Sequence, residues 1–204
     1  MSMPLWLASD PLLLASRSAA RRSLLEAAGV PVELHPADID ERAVEQDAGA
    51  AGPSVVAAFL ARAKASAVSK LRPGRLTLGA DQTLALGAKR FSKPADCDAA
   101  RMQLQALSGQ THELHSAVAF VQDGTVLFEY VGTARLMMRV LSDQFLDLYL
   151  DSVGDVATAS VGAYQIEGFG VQLFEKIDGD YFTVLGLPLL AALDFLRRRG
   201  CLIA

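Results

Sequence analysis

Two periods of apolar and polar residues run along this chain, and together they predict a mixed order of strands and helices. Pro11-Leu12-Leu13-Leu14-Ala15 is unbroken apolar sequence and predicts a buried strand. Ser16 to Ala20 then turn the chain into a helix that ends near Gly29, with Leu24, Leu25 and Ala28 on its apolar face. Val32 to Leu34 predicts a short strand. Asp38 to Gly52, acidic and rich in Gly and Ala, reads as a mobile loop. Pro53 opens a long helix in which Val56, Phe59, Leu60, Ala63, Ala67 and Leu71 recur at helical spacing. Leu76 to Ala80 predicts a strand, and Thr83 to Leu86 pairs with Arg90-Phe91 across Gly87-Ala88. Asp98 to Leu107 reads as a helix closed by Gly109 at its C′ position.

The second half is more strand-like. Glu113 to Val121 and Val126 to Arg139 flank Asp123-Gly124, a hairpin signal. Ser142 caps a helix running through Leu150. Ser160 to Ile177 carries two Gly-rich bends, after which Asp178-Gly179 turns the chain back into Tyr181 to Leu185. Pro188 opens a final amphipathic helix to Arg199. No repeat, low-complexity tract or linker interrupts this order. It predicts an α/β body of two lobes with a central cleft.

The opening stretch, MSMPLWLASDPLLLAS, lacks a basic n-region. It is also shorter than the roughly 20 apolar residues that span a bilayer. It reads as a short tail and a first strand, not as a signal peptide. A length of 204 residues suits one large domain or two small lobes, and a hydrophobic fraction of 51% suits a packed core. The net charge of −4 argues against a duplex-binding surface, which needs a concentrated basic stripe. Positive charge is local, at Arg21-Arg22, Lys89-Arg90 and Arg197-Arg198-Arg199, the last reading as a solvated helix end. Cys97 and Cys201 make neither a disulfide framework nor a zinc site, which fits a reducing, cytoplasmic setting.

Candidate chemistry begins with Arg21 and Arg22, in the first turn of the first helix. Cations are unfavourable there by roughly 0.3–1 kcal/mol each. With Ser16 and Ser18 before them, they compose an anion pocket of hydroxyls, free N–H groups and guanidinium forks. The plain alternative is two arginines on a surface helix. Asp40-Glu41 follows the second strand, where solvated carboxylates are common. Lys64 lies one turn beyond Leu60, at the edge of the buried stripe. Lys93 is held extended by Pro94 and can serve a phosphate as a point charge. Asp81 closes the strand Leu76 to Ala80, and strand carboxyl ends border ligand crevices in α/β sheets. Asp81 and Glu41 are the hard oxygen donors that Mg²⁺ or Mn²⁺ prefers, with substrate phosphates supplying the rest. His35, His112 and His115 have no metal-ligand spacing. Tyr164, Phe169 and Phe174 either line a base pocket or pack in the core.

Taken in order, these segments resemble the Maf family of nucleoside triphosphate pyrophosphatases over nearly the full chain. The matching residues are Leu14-Ala15-Ser16-Arg17-Ser18 with Arg21-Arg22 and Leu24-Leu25; Ile39-Asp40-Glu41; Leu60-Ala61-Arg62-Ala63-Lys64-Ala65; Gly79-Ala80-Asp81-Gln82; Lys93-Pro94; Leu107-Ser108-Gly109-Gln110-Thr111-His112; Gly162-Ala163-Tyr164 with Glu167-Gly168; and Val184-Leu185-Gly186-Leu187-Pro188. The resemblance implies a single domain over residues 1–204, with a two-lobed body like that of inosine triphosphatases, an extended mixed sheet and a deep cleft, often as a homodimer. It implies hydrolysis of a nucleoside triphosphate to the monophosphate and pyrophosphate with Mg²⁺ or Mn²⁺, and no nucleic-acid or membrane partner. By position, Ser16 and Arg21, with Arg22 beside them, fall in the phosphate loop. Glu41, Lys64, Asp81 and Lys93 match the catalytic set, with Glu41 and Asp81 as metal ligands. Gln82 and Glu167 face the base.

This sequence departs from the family pattern at Ala19 and Ala20, where Pro and Arg or Trp are common, and at Ala63, where Glu is common. Gln82 and Glu167 look like the branch that prefers 7-methyl-GTP, while Ala163-Tyr164 is closer to the dTTP/UTP branch. A carboxylate at 167 can accept guanine N–H groups or offset the charge of a methylated ring, whereas an amide pairs with a pyrimidine edge. Two rival readings stand beside the enzyme: a nucleotide-binding regulator of cell division without turnover, and a phosphatase of simpler esters.

Overall fold

The computed structural model describes residues 5–49 and 51–204. The short tail predicted at the start therefore lies partly outside the described residues. Among the described residues, seven strands form one mixed sheet, in the order β2-β1-β3-β5-β6-β7, with β4 beside β3. This is the mixed α/β class that the patterning predicts. The chain divides into two compact units, one holding residues up to Gln82, His115–Gly132 and Asp180 onward, the other Thr83–Leu114 and Thr133–Gly179.

In the first unit, β1 (Leu12–Leu14) pairs in parallel with β2 (Val32–Leu34) on one side and with β3 (Thr77–Leu86) on the other. Helix α1 (Ala19–Ala27) joins β1 to β2, and its N-cap Ser18 accepts from Arg21 N at 3.3 Å. Gly29 ends the turn after it at φ +77, a value that glycine adopts without a Cβ clash. Helix α3 (Pro53–Leu71) starts with Pro at its first position and lies against β3. The two elements meet at Gly79, where a Cβ would stand 2.1 Å from the Ala61 carbonyl oxygen. Only glycine permits that approach. Leu12, Leu14, Leu78, Phe120, Leu189 and Leu196 are among the side chains that form one buried cluster, which includes residues of the closing helix α8 (Leu189–Arg198). Each such leucine is worth roughly 1.5–3 kcal/mol of burial.

The stretch 38–52 is not the loop that its composition predicts. Glu41–Asp47 forms helix α2. Asp40 is its N-cap, and Oδ1 accepts from the backbone N–H of Arg42 at 3.0 Å and of Ala43 at 3.1 Å. The cap satisfies the orphan donors of the first turn, and this local chemistry outweighs the Gly/Ala content. The two strands predicted on either side of Asp81 are likewise one ten-residue strand. Asp81 therefore sits in mid-strand, not at a strand end. The end it borders is that of β1, whose pairing with β3 stops at Leu14↔Leu78. Tyr181 to Leu185 continues as a short helix, α7 (Tyr181–Val184), capped by Asp180.

In the second unit, β4 (Lys89–Phe91) pairs antiparallel with β3 across the predicted turn, Leu84↔Phe91. Helix α4 (Cys97–Leu107) ends with Gly109 at φ +68. It is tied to α5 (Asp143–Val153) by Arg101, which pairs with Asp143 at 3.0 Å and with Asp147. β5 (Thr111–Gln122) and β6 (Thr125–Met138) form the predicted hairpin arms about Asp123-Gly124, and both run through each unit. After α6 (Val156–Ala159), two 3₁₀ turns, Val161–Ala163 with Gly162 and Phe169–Leu173 with Gly170, form the predicted Gly-rich bends. A strand not foreseen, β7 (Phe174–Asp178), follows and pairs with β6.

Candidate active site

Close packing at Gly79 brings Lys64, on α3, over the middle of β3. Both Lys64 and Asp81 are buried, at 9% and 8% exposure. Lys64 Nζ donates to Asp81 Oδ1 at 2.6 Å and lies 2.9 Å from Glu41 Oε1. One ammonium thus gathers two carboxylates that are forty residues apart in sequence. Burial pushes the Asp81 pKa up from the usual carboxylate value, and the charges of Lys64 and Arg21 act against that rise.

Arg21 reaches the same place from α1. Its Nε donates to Gly186 O at 2.9 Å, and Nη1 donates to Ala80 O at 2.8 Å and to Ser16 Oγ at 3.2 Å. Burial lowers its pKa, opposed by the charges of Asp81 and Glu41. These three bonds fix the guanidinium and turn it away from solvent. That explains how an arginine is tolerated in the first turn of a helix with no acidic residue there. Its Nη2 makes no hydrogen bond among the described residues, which leaves one edge of the fork for an anion. Ser16 is buried, and its hydroxyl also accepts from Ser18 N at 3.2 Å. Ser16, Arg21, Glu41, Lys64 and Asp81 therefore converge within the first unit.

Gln82 lies next to Asp81. Its amide nitrogen donates to Ser116 Oγ at 3.0 Å, Val184 O at 3.0 Å and Thr183 O at 3.2 Å. Arg22, expected beside Arg21, pairs instead with Glu26 at 2.8 Å on an exposed helix face. Lys93 and Glu167 belong to the second unit. Lys93 is exposed between β4 and α4, and Glu167 is exposed in the turn between the two 3₁₀ segments.

Of the candidate base-pocket aromatics, Tyr164 and Phe174 pack edge to face at 4.8 Å, and both lie close to the His112 ring. Tyr164 hydroxyl is 2.7 Å from His112 Nε2. Phe169 is 56% exposed and lines, with Tyr149, Tyr164, Gln165 and Gly170, a hollow of about 190 Å³. Sequence reasoning missed Ser116, Thr183 and Asp180. A serine inside the apolar run Leu114 to Val121 and the spacing Asp180-x-x-Thr183 were the available signals.

Among the described residues, no group of three His, Cys, Asp or Glu side chains forms an all-protein metal cage. The donors that do converge are two carboxylates. That set fits Mg²⁺ or Mn²⁺, which bind through one or two carboxylates and take substrate phosphates and water as the remaining ligands. Glu41 and Asp81 would hold such an ion.

Four likenesses to known proteins stand beside this geometry. Residues 11–199 match the family model described as Maf-like protein. A nucleoside triphosphate pyrophosphatase of Rhodopseudomonas palustris is 57% identical over 200 residues, 98% of this chain and 99% of its own length. A 7-methyl-GTP pyrophosphatase of Mesorhizobium japonicum is 54% identical over 197 residues, 95% of this chain and 98% of its own. Among solved structures, a dITP/XTP pyrophosphatase of Mycobacterium abscessus covers 94% of this chain and 95% of its own at a TM-score of 0.44, with 18% identity. The family match takes in every side chain gathered around Asp81, and full-length relatives share more than half of the sequence: the chain belongs to the Maf family.

Proposed function

We propose that this chain is a metal-dependent nucleoside triphosphate pyrophosphatase that releases the monophosphate and pyrophosphate. The observation that carries the reading is the convergence of Lys64 on Asp81 and Glu41, with Arg21 anchored to Ala80 O beside them. Simple packing would not bury Lys64 against Asp81, since each charge costs free energy to desolvate, and Glu41, 54% exposed, reaches the same ammonium from the surface.

In this reading, Asp81 orients the attacking water and takes its proton, a role suited to a carboxylate whose pKa burial raises above the usual carboxylate value. Arg21 presents its unused edge to phosphate oxygens, and Ser16 keeps the guanidinium in place. Lys64 holds Asp81 in position and adds positive charge where the transferring phosphoryl group builds negative charge. A Mg²⁺ or Mn²⁺ ion held by Glu41 and Asp81 would neutralise phosphate oxygens and acidify bound water. Lys93 keeps the second-lysine role, and Glu167 the base-reading role, that the family pattern gives them.

Two relatives at 54% and 55% identity bear the name 7-methyl-GTP pyrophosphatase, which supports 7-methyl-GTP as the first substrate to try. The dTTP/UTP alternative rests on Ala163-Tyr164. Free thiols at Cys97 and Cys201 fit a cytoplasmic setting. The test is a screen of common and modified nucleoside triphosphates with added Mg²⁺ or Mn²⁺, identifying both products. Monophosphate with pyrophosphate supports the reading. Orthophosphate release would favour the simpler phosphatase, and binding without turnover the regulator.

A further inference from the structure

Lys93 is exposed, yet the backbone on both sides of it is held. Proline holds the Lys93–Pro94 peptide: the Pro94 ring is buried, and a residue before proline is confined to extended backbone. The Ser92–Lys93 peptide is held from α4, where Gln103 Nε2 donates to Ser92 O at 2.7 Å. That carbonyl and the Lys93 N–H belong to one planar unit, so fixing one fixes the other. Two held planes meet at the Lys93 Cα and set the direction in which its side chain leaves the backbone.

Gln103 can hold that peptide because its other end is fixed. Its Oε1 accepts from the N–H of Gly162 at 3.1 Å. A backbone carbonyl only accepts and a backbone N–H only donates, so these two partners leave one orientation of the amide. Gly162 stands at φ +82 in the first 3₁₀ turn, where a Cβ would come within 2.6 Å of both a Leu84 methyl carbon and the Tyr164 ring. The turn is thus wedged between these side chains and gives the amide a firm seat. Helix α4 is anchored at its start as well: Asp96 Oδ1 accepts from Ala99 N at 2.8 Å, which closes the loop of residues 92–96 between β4 and α4. From the second turn of α4, Gln103 reaches back to the first residue of that loop and across to the 3₁₀ turn, all within the second unit.

We propose that Gln103 is a positioning residue for Lys93, holding the Ser92–Lys93 peptide so that the ammonium is placed for a phosphate. This rests on the reading above that Lys93 serves the polyphosphate. Gln103 itself touches no substrate. It raises the share of molecules in which Lys93 is correctly placed, and apparent affinity scales with that share. The net worth of one hydrogen bond changes such a share by roughly threefold to tenfold, and the effect on binding has that size. Because the effect passes through Lys93, it falls on the phosphates whatever base the nucleotide carries, and it vanishes when the ammonium is removed.

The test compares wild type with Gln103→Met, a neutral side chain of similar length that cannot donate to Ser92 O. Two quantities are measured: the NMR order parameter of the Lys93 amide, and the dissociation constant of inorganic tripolyphosphate by calorimetry. The second is measured again with Lys93→Ala added to each protein. In Gln103→Met the order parameter should fall from about 0.85 toward about 0.6. Tripolyphosphate should bind roughly threefold to tenfold more weakly, and Gln103→Met should weaken it no further once Lys93 is replaced by alanine. Binding or an order parameter equal to wild type would overturn the proposal. So would an equal loss with and without Lys93, which is what a merely structural role gives. Should Gln103→Met fail to fold, Gln103→Glu keeps the acceptor for Gly162 N–H and removes the donor to Ser92 O. The same loss, abolished by Lys93→Ala, is expected of it, and a loss that persists without Lys93 would overturn the proposal. Lys93→Ala alone separates the parent reading: if it leaves tripolyphosphate binding unchanged, Lys93 serves no phosphate and its positioning by Gln103 falls with it, whereas weaker binding there with no effect of Gln103→Met sinks only the role of Gln103.

Discussion

Lys64 Nζ stands 2.6 Å from Asp81 Oδ1, with both side chains about nine-tenths buried. This pair is held by the packing of α3 on Gly79 and is shared with Glu41 at 2.9 Å. Breaking a buried pair from one side leaves an uncompensated charge, which typically costs about 3–5 kcal/mol. Lys64→Met should therefore lower stability at pH 7 by a few kcal/mol, about 3 by this scale, and abolish turnover. The stability deficit should shrink as pH falls and Asp81 takes up a proton. Denaturant unfolding at two pH values checks this, and an equal deficit at both would count against it.

In the proposed mechanism the base form of Asp81 is the active one, so kcat/KM should fall as pH drops through a value above the ordinary carboxylate range. The same shift has a stability sign. The folded state binds the Asp81 proton more tightly than the unfolded state, so this group favours folding at low pH and loses that contribution as pH rises through its folded pKa. An acid limb near the model-peptide carboxylate value, about 3.9, would contradict the assignment of Asp81 as base.

His112 acts in the opposite sense. Burial lowers its pKa to about 4 from the usual 6.5, so the imidazole against Tyr164 is neutral. The unfolded chain binds this proton first, and the contribution, present above pH 6.5, is lost as pH falls toward about 4. At one pKa unit to 1.36 kcal/mol, the loss is about 3 kcal/mol. His112→Gln should melt with less dependence on pH between 7 and 4 than wild type. Parallel curves would show that His112 does not set the acid sensitivity.

The proposed function gives base choice to Glu167. Replacing its carboxylate by an amide removes the acceptor for guanine N–H groups, so Glu167→Gln should lower kcat/KM for 7-methyl-GTP relative to UTP, on the order of tenfold or more for a lost charged hydrogen bond. An unchanged ratio would remove Glu167 from base recognition.

Much of this site was legible in the sequence because its pieces are local. Ser16 and Arg21 follow a strand whose apolar run is unmistakable, and Lys64 sits one turn from Leu60 on a helix with clear spacing. Glu41 was legible as a residue but not as part of a helix, because one capping side chain, Asp40, decides that fold against the Gly/Ala content around it. The place of Asp81 in mid-strand was hidden because the end it borders belongs to β1, a partner strand that only tertiary pairing reveals. Gln82 shows the widest gap between sequence and structure. Its neighbour suggests a site residue, but its partners lie at positions 116, 183 and 184, and no local pattern announces such pairing. Arg22 reads as the twin of Arg21, yet one step along a helix turns it to Glu26 and the solvent.

The central claim is tested most directly by Asp81→Asn, followed by pyrophosphate release from the best triphosphate substrate. The amide keeps an acceptor oxygen for Lys64, whose charge stays paired with Glu41 at 2.9 Å, so the variant should remain folded at the assay temperature. With that fold intact, pyrophosphate release should fall by at least the roughly 10²–10⁴-fold associated with a lost general base. Near-normal release from a fully folded Asp81→Asn protein would contradict the account.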